Sequence, residues 1–100
     1  MKINFEYHDV AASETLEDYT QTKIDTLLKR SDRITAVDVY FRVNDAALPL
    51  NRMKASIRLE LPGETLFAES LHKSFQQSVA ESVEELKVQL EKYKAKIRAY

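Results

Sequence analysis

The chain has no cysteine, no tryptophan, one glycine (Gly63) and two prolines (Pro49 and Pro62) in 100 residues. Without cysteine there are no disulfides, no thiolate metal sites and no cysteine nucleophile, which fits a reducing, cytoplasmic setting. One glycine cannot build the phosphate-cradling loops of the Walker or dinucleotide-binding type. No apolar run approaches the ~20 residues that a membrane helix needs. The opening Met1-Lys2-Ile3-Asn4-Phe5-Glu6 alternates, and lacks the apolar stretch of a signal peptide. The expectation is one domain over residues 1–100, with a single core and no membrane partner.

Catalytic constellations are also missing. Neither His8 nor His72 has a ligand-type residue three or four positions on, so a metal site is not expected. Glu81, Glu84 and Glu85 fall in the N-terminal half of a predicted helix, where carboxylates complement the helix dipole. No enzyme activity, cofactor or small-molecule substrate is expected from these residues.

What the sequence does contain is clear periodicity. Ile3, Phe5 and Tyr7 alternate with Lys2, Asn4 and Glu6, which predicts a strand. Ser13 is placed to cap a helix whose apolar side is Leu16, Tyr19, Thr20, Ile24, Leu27 and Leu28. Lys29, Arg30 and Arg33 follow at its C-terminal end, where cations suit the dipole. Val37, Val39, Phe41 and Val43 then alternate with Asp38, Tyr40 and Arg42, giving a second strand. Asn44 to Arg52 reads as a loop. Met53, Ala55, Ile57, Leu59 and Leu61 alternate strictly and predict a third strand.

Pro62-Gly63 forces a turn. Its preference for type II suits a two-residue hairpin poorly, so a wider loop is expected there. Leu66, Ala68 and Ser70 continue a fourth strand. Val79, Val83, Leu86, Leu90, Tyr93 and Ile97 recur at spacings of 4, 3, 4, 3 and 4, predicting a long one-sided helix from near Ser74. The fold class is therefore α+β in the order β-α-β-β-β-α. It combines a four-stranded mixed sheet with two helices packed on one face, leaving the other face open.

Two features are left to carry function. Residues 1–86 hold ten Lys/Arg against fifteen Asp/Glu, whereas residues 87–100 hold five against one. The basic end consists of Lys87, Lys92, Lys94, Lys96 and Arg98. These cations either stabilise the helix C-terminus, by about 0.3–1 kcal/mol each, or track a phosphate backbone. The second feature is the open face. If Glu60 lies opposite Thr65, Phe67 lies opposite Arg58, with Tyr40, Arg42 and Lys54 on the same face. Aromatics interleaved with arginine can stack on bases, although the third strand offers no aromatic partner. Phe67 could equally anchor a protein contact or cap the sheet edge.

Several segments together resemble the ribosome-associated inhibitor and hibernation-promoting factor family. They are the opening Met1-Lys2-Ile3-Asn4, Lys23, the Asp32-Arg33-Ile34 step, and Ala68 followed by Ser74-Phe75. The most specific is the ending Leu86, Gln89-Leu90 and Lys92-Tyr93-Lys94-Ala95-Lys96, similar to the family's Leu-x-x-Gln-Leu-x-Lys-x-Lys-x-Lys. The chain departs from the pattern at Ser74-Phe75-Gln76, where the family has Asp-Met-Tyr. It also has Glu85 and Val88 where the family often has Lys and Arg.

The resemblance implies a fold like that of double-stranded-RNA-binding domains and the short form of the family. It also implies a translation inhibitor docked in the mRNA and tRNA groove of the small ribosomal subunit, with basic helix residues on ribosomal RNA. Carried over by position, the RNA-contacting residues would be Lys23, Lys92, Lys94 and Lys96, with Lys87 and Arg98 as neighbours. The alternative is a protein-interaction or self-associating module using the open face at Tyr40, Arg42, Arg58 and Phe67. A homodimer is compatible with the sequence but not indicated by it.

Overall fold

The computed structural model describes residues 1–44 and 52–98, so the loop expected from Asn44 to Arg52 lies mostly outside the described residues. The elements are β1 (Asn4–His8), α1 (Glu14–Leu28), β2 (Ala36–Val43), β3 (Met53–Leu61), β4 (Glu64–His72) and α2 (Phe75–Arg98). The sheet order is β1-β2-β3-β4. β1 runs parallel to β2, and the other two pairings are antiparallel. The order β-α-β-β-β-α and the two-layer arrangement read from periodicity are those observed.

Alternation decides which side of each strand is dry. Val37, Val39 and Phe41 of β2, and Ala55, Ile57 and Leu59 of β3, have no solvent exposure. Leu66, Ala68 and Ser70 of β4 are buried on the same side. Phe41 is the aromatic centre, stacked on Phe5, tilted against Tyr7 and edge-on to Phe75 at centroid distances of 6.2, 5.4 and 5.3 Å. α1 contributes Leu16, Ile24 and Leu27, and α2 contributes Val79, Val83, Leu86, Leu90 and Tyr93 to the same cluster.

Local chemistry starts each helix. The Ser13 hydroxyl accepts from the Leu16 amide at 3.2 Å, and Glu14 and Glu17 occupy the first turn. The Tyr7 hydroxyl donates to Glu17 at 2.7 Å, which ties β1 to that turn. Burial, and then the Glu17 carboxylate, raise the Tyr7 hydroxyl pKa above its ordinary value. Ser74 caps α2, accepting from the Gln77 amide at 3.2 Å.

Small buried serines let α2 lie close on the sheet. The Ser78 hydroxyl donates to the Met53 carbonyl at 2.6 Å, and Ser82 lies 3.0 Å from the Ser70 hydroxyl. Further along, the Gln89 amide donates to the Phe67 carbonyl at 2.8 Å, and the Tyr93 hydroxyl donates to the Pro62 carbonyl at 3.1 Å. These bonds hold the basic half of α2 over the β3–β4 turn.

That turn corrects the expectation of a wider loop. β3 ends at Leu61, β4 begins at Glu64, and the two residues pair directly. Pro62 and Gly63 alone make the hairpin loop, with Gly63 at φ 79°, the left-handed value that the third position of a type II turn requires. Contacts from outside the turn hold it in place. Leu61 is buried, and Tyr93 anchors the Pro62 carbonyl.

Candidate nucleic-acid interface

The two helices lie side by side and run the same way. Arg30, just past the end of α1, is 3.5 Å from Glu91 of α2. Seven residues earlier on each helix, Glu84 feels the charge of Lys23. Two parallel helices present both C-termini at one end of the molecule, so two partial negative charges meet there. Sequence reading assigned Lys29, Arg30 and Arg33 to the dipole of α1 alone. The fold instead combines Arg30 and Arg33 with Lys94 and Arg98 around one groove of about 200 Å³, also lined by Ser31, Asp32 and Ile97. A neighbouring hollow of about 350 Å³ sits over the β3–β4 turn, where Arg33 and Lys96 share a wall with Tyr93. Arg33 borders both.

The six residues singled out on the helices do not form one patch. Lys23, Lys87, Lys94 and Arg98 follow the α1 side of α2, with Lys23 held over the Tyr19 ring at 5.6 Å. Lys96 turns to the sheet side and meets Glu64 at 3.1 Å. Lys92 is exposed, and no ion pair engages it among the described residues.

Half of these six cations, Lys87, Lys94 and Lys96, already have a carboxylate within ion-pair distance among the described residues. Lys87 is 2.6 Å from Glu84, and Lys94 is 3.5 Å from Glu91, the carboxylate that also meets Arg30. The hydrogen bond from Lys87, reinforced by its charge and by Arg30 and Lys23, holds the Glu84 carboxyl below the usual carboxylate range. Exposed pairs of this kind are weak and exchange readily with solvent or another anion. The surface is therefore an alternating seam of carboxylates and cations that ends in an excess of cations at Arg33, Lys92 and Arg98.

On the open face, Arg58 does lie opposite Phe67 and Glu60 opposite Thr65. Arg58 is committed to Asp38 and Glu60, both at 3.3 Å. Tyr40 and Phe67 are exposed, and Arg42 is exposed with no carboxylate partner among the described residues. Among the described residues, His8 pairs with Asp9 at 3.4 Å and His72 with Glu81 at 3.1 Å. Among the described residues no group of three or more His, Asp or Glu is placed to hold a metal ion. No described helix is long and apolar enough to cross a membrane.

The residues missed by sequence reasoning are Arg30 and Arg33. The signal was present as a basic trio. Only the parallel packing of α1 and α2, a long-range property, unites it with Lys94 and Arg98.

A ribosome hibernation promoting factor from Azotobacter vinelandii is 28% identical to this chain over 96 residues, covering 96% of this chain and 85% of that protein. Among solved structures, a ribosomal subunit interface protein from Coxiella burnetii superposes with a TM-score of 0.83 at 26% identity. That match covers 95% of this chain and 99% of the other. The N-terminal domain of Thermus thermophilus Protein Y shares the fold, with a TM-score of 0.79 at 18% identity over 93% of this chain and 99% of that domain. The sequence model of one family matches from Ile3 to Arg98, all six elements included. The chain belongs to the Sigma 54 modulation protein / S30EA ribosomal protein family.

Proposed function

We propose that this chain is a ribosome-associated hibernation factor that docks on the small subunit and holds translation idle without making or breaking a bond. Family membership supports the ribosome as partner, and likeness to a hibernation promoting factor supports the outcome. In this reading Lys23, Lys87, Lys92, Lys94, Lys96 and Arg98, joined by Arg30 and Arg33, meet ribosomal RNA phosphates in the mRNA and tRNA groove. The observation that carries it is the groove at the shared C-terminal end of the helices, where Arg30, Arg33, Lys94 and Arg98 converge from two elements.

Phosphate contacts set affinity, and the rigid shape of the domain sets the site. A phosphate that takes Lys87, Lys94 or Lys96 must displace Glu84, Glu91 or Glu64, so binding is in part an exchange of ion pairs and depends on salt. The test is co-sedimentation with purified small subunits across a salt series. Binding is expected to fall steeply as salt rises. Lys92→Glu/Lys94→Glu/Lys96→Glu is expected to flatten the log–log slope by about two to three units. Equal binding by that variant, or none by the wild type at low salt, would overturn the proposal.

A further inference from the structure

The open sheet face has a basic corner that the helix-side reading leaves unused. Strand register puts His8, Arg42 and Lys54 directly side by side across β1, β2 and β3. Arg42 and Lys54 are like charges directly opposite on neighbouring strands and repel, so this pair gains from an anion laid across it. Lys54 shares Glu69 with Ser56, at 3.3 and 3.1 Å, while Arg42 has no such partner among the described residues. Arg52 stands two residues before Lys54 and joins this strand end through its carbonyl, which accepts from the Asn44 amide. The next row inward holds Glu6, Tyr40 and Ser56. Together these six side chains from the two rows line a hollow of about 300 Å³.

We propose that this corner binds one nucleotide of a single-stranded RNA, with the phosphate on Arg42 and Lys54 and the base against the Tyr40 ring. Tyr40 and Arg42 are two residues apart on one strand face, about 7 Å, which matches the reach from a phosphate to its own base. Tyr40 is 37% exposed, which leaves its ring available to stack. Glu6 stands opposite Tyr40, where its carboxylate can accept an N–H of the base. Glu6 and Glu69 would repel an acidic peptide, whose carboxylate side chains carry no N–H donor to offset that charge. A duplex is excluded because its bases are not free to stack on a side chain.

The corner is independent of the helix cations. It lies on the opposite face of the sheet and at the opposite end of β3 from the Pro62-Gly63 turn, about 20 Å away. One RNA segment could therefore be held here while the helices face another partner.

The test uses the full chain carrying Lys87→Glu/Lys92→Glu/Lys94→Glu/Lys96→Glu, so that all four α2 lysines are reversed in charge. Fluorescein-labelled eight-nucleotide RNAs, single-stranded or as a duplex, are titrated by anisotropy at low salt. The single strand is expected to bind and the duplex to bind much more weakly. Adding Arg42→Glu or Tyr40→Ala should each weaken single-strand binding about tenfold. Amide shift changes in the wild-type chain should centre on His8, Tyr40, Arg42 and Lys54. Loss of binding in the lysine variant alone, a duplex that binds as tightly as the single strand, Arg42→Glu and Tyr40→Ala effects within about twofold, or amide changes confined to α2 would each overturn the proposal. None of these outcomes bears on ribosome co-sedimentation, which tests the helix surface separately.

Discussion

On the helix-covered side of the sheet, Val37, Val39, Phe41, Ala55, Ile57 and Leu59 are sealed from water. On the open side the same strands present Asn4, Asp38, Arg58 and Phe67 in one row and Glu6, Tyr40, Ser56 and Glu69 in the next. One side is held by shape, the other by exchangeable polar contacts such as the bonds from Asn4 and Arg58 to Asp38, at 3.2 and 3.3 Å. The α1–α2 seam combines both, with an apolar floor beneath a rail of ion pairs. Stability is thus concentrated on the covered side. The open side and the seam can change their charges, and with them their partners, at little cost to folding.

The largest break in that comparison comes from the covered side. Phe41→Ala removes the ring that meets Phe5, Tyr7 and Phe75, and is expected to destabilise the fold by about 3–5 kcal/mol. Urea unfolding followed by circular dichroism measures it, and a loss below about 1 kcal/mol would mean that the core closes without Phe41.

The seam should respond in binding rather than in stability. Glu91 meets both Arg30 and Lys94, so Glu91→Gln frees two cations and should tighten small-subunit binding about two- to fivefold at low salt. Unchanged or weaker binding would show that the pairs do not compete with phosphate.

A smaller effect tests acid stability. The Glu81 carboxyl is held below the usual carboxylate range by the Ser70 hydroxyl and then by His72, whose Nε2 lies 3.1 Å away. A depressed folded pKa contributes stability that is present above the unfolded carboxylate pKa and is lost as pH falls through the folded value. Glu81→Gln should therefore lower the urea midpoint slightly at neutral pH, with the gap closing in acid. Solvent screening keeps the effect small. A gap that persists undiminished at about pH 2 would point to packing instead.

The smallest effect belongs to the open side. Phe67→Ser should change stability by no more than about 0.5 kcal/mol, because the ring is 47% exposed and covers no core residue. A larger loss would show that this face contributes to folding.

Much of this organisation was legible in the sequence because it is local. Alternation from Met53 to Leu61 fixes which side of β3 is dry, and the 4-3-4-3-4 seam from Val79 to Ile97 fixes which side of α2 is buried. Ser13 announces the start of α1 by an interaction within its own first turn. The Pro62-Gly63 turn was misread for the same reason. Its own preference disfavours a two-residue hairpin, and what holds it is Tyr93, thirty-one positions away. The cation groove was half legible, since Lys94 and Arg98 stand out in a basic tail but Arg30 and Arg33 read as dipole partners of α1.

The sequence by itself determined the element types, their order and their buried faces, because periods of 2 and 3.6 residues follow from backbone geometry. It also set the charge contrast between the acidic body and the basic last fourteen residues. Tertiary structure decided which charges meet. Parallel packing of α1 on α2 put Glu91 between Arg30 and Lys94, and strand register aligned His8, Arg42 and Lys54. Those neighbours are separated by up to sixty-one residues along the chain. Their meeting depends on how the elements dock, and no local propensity encodes it.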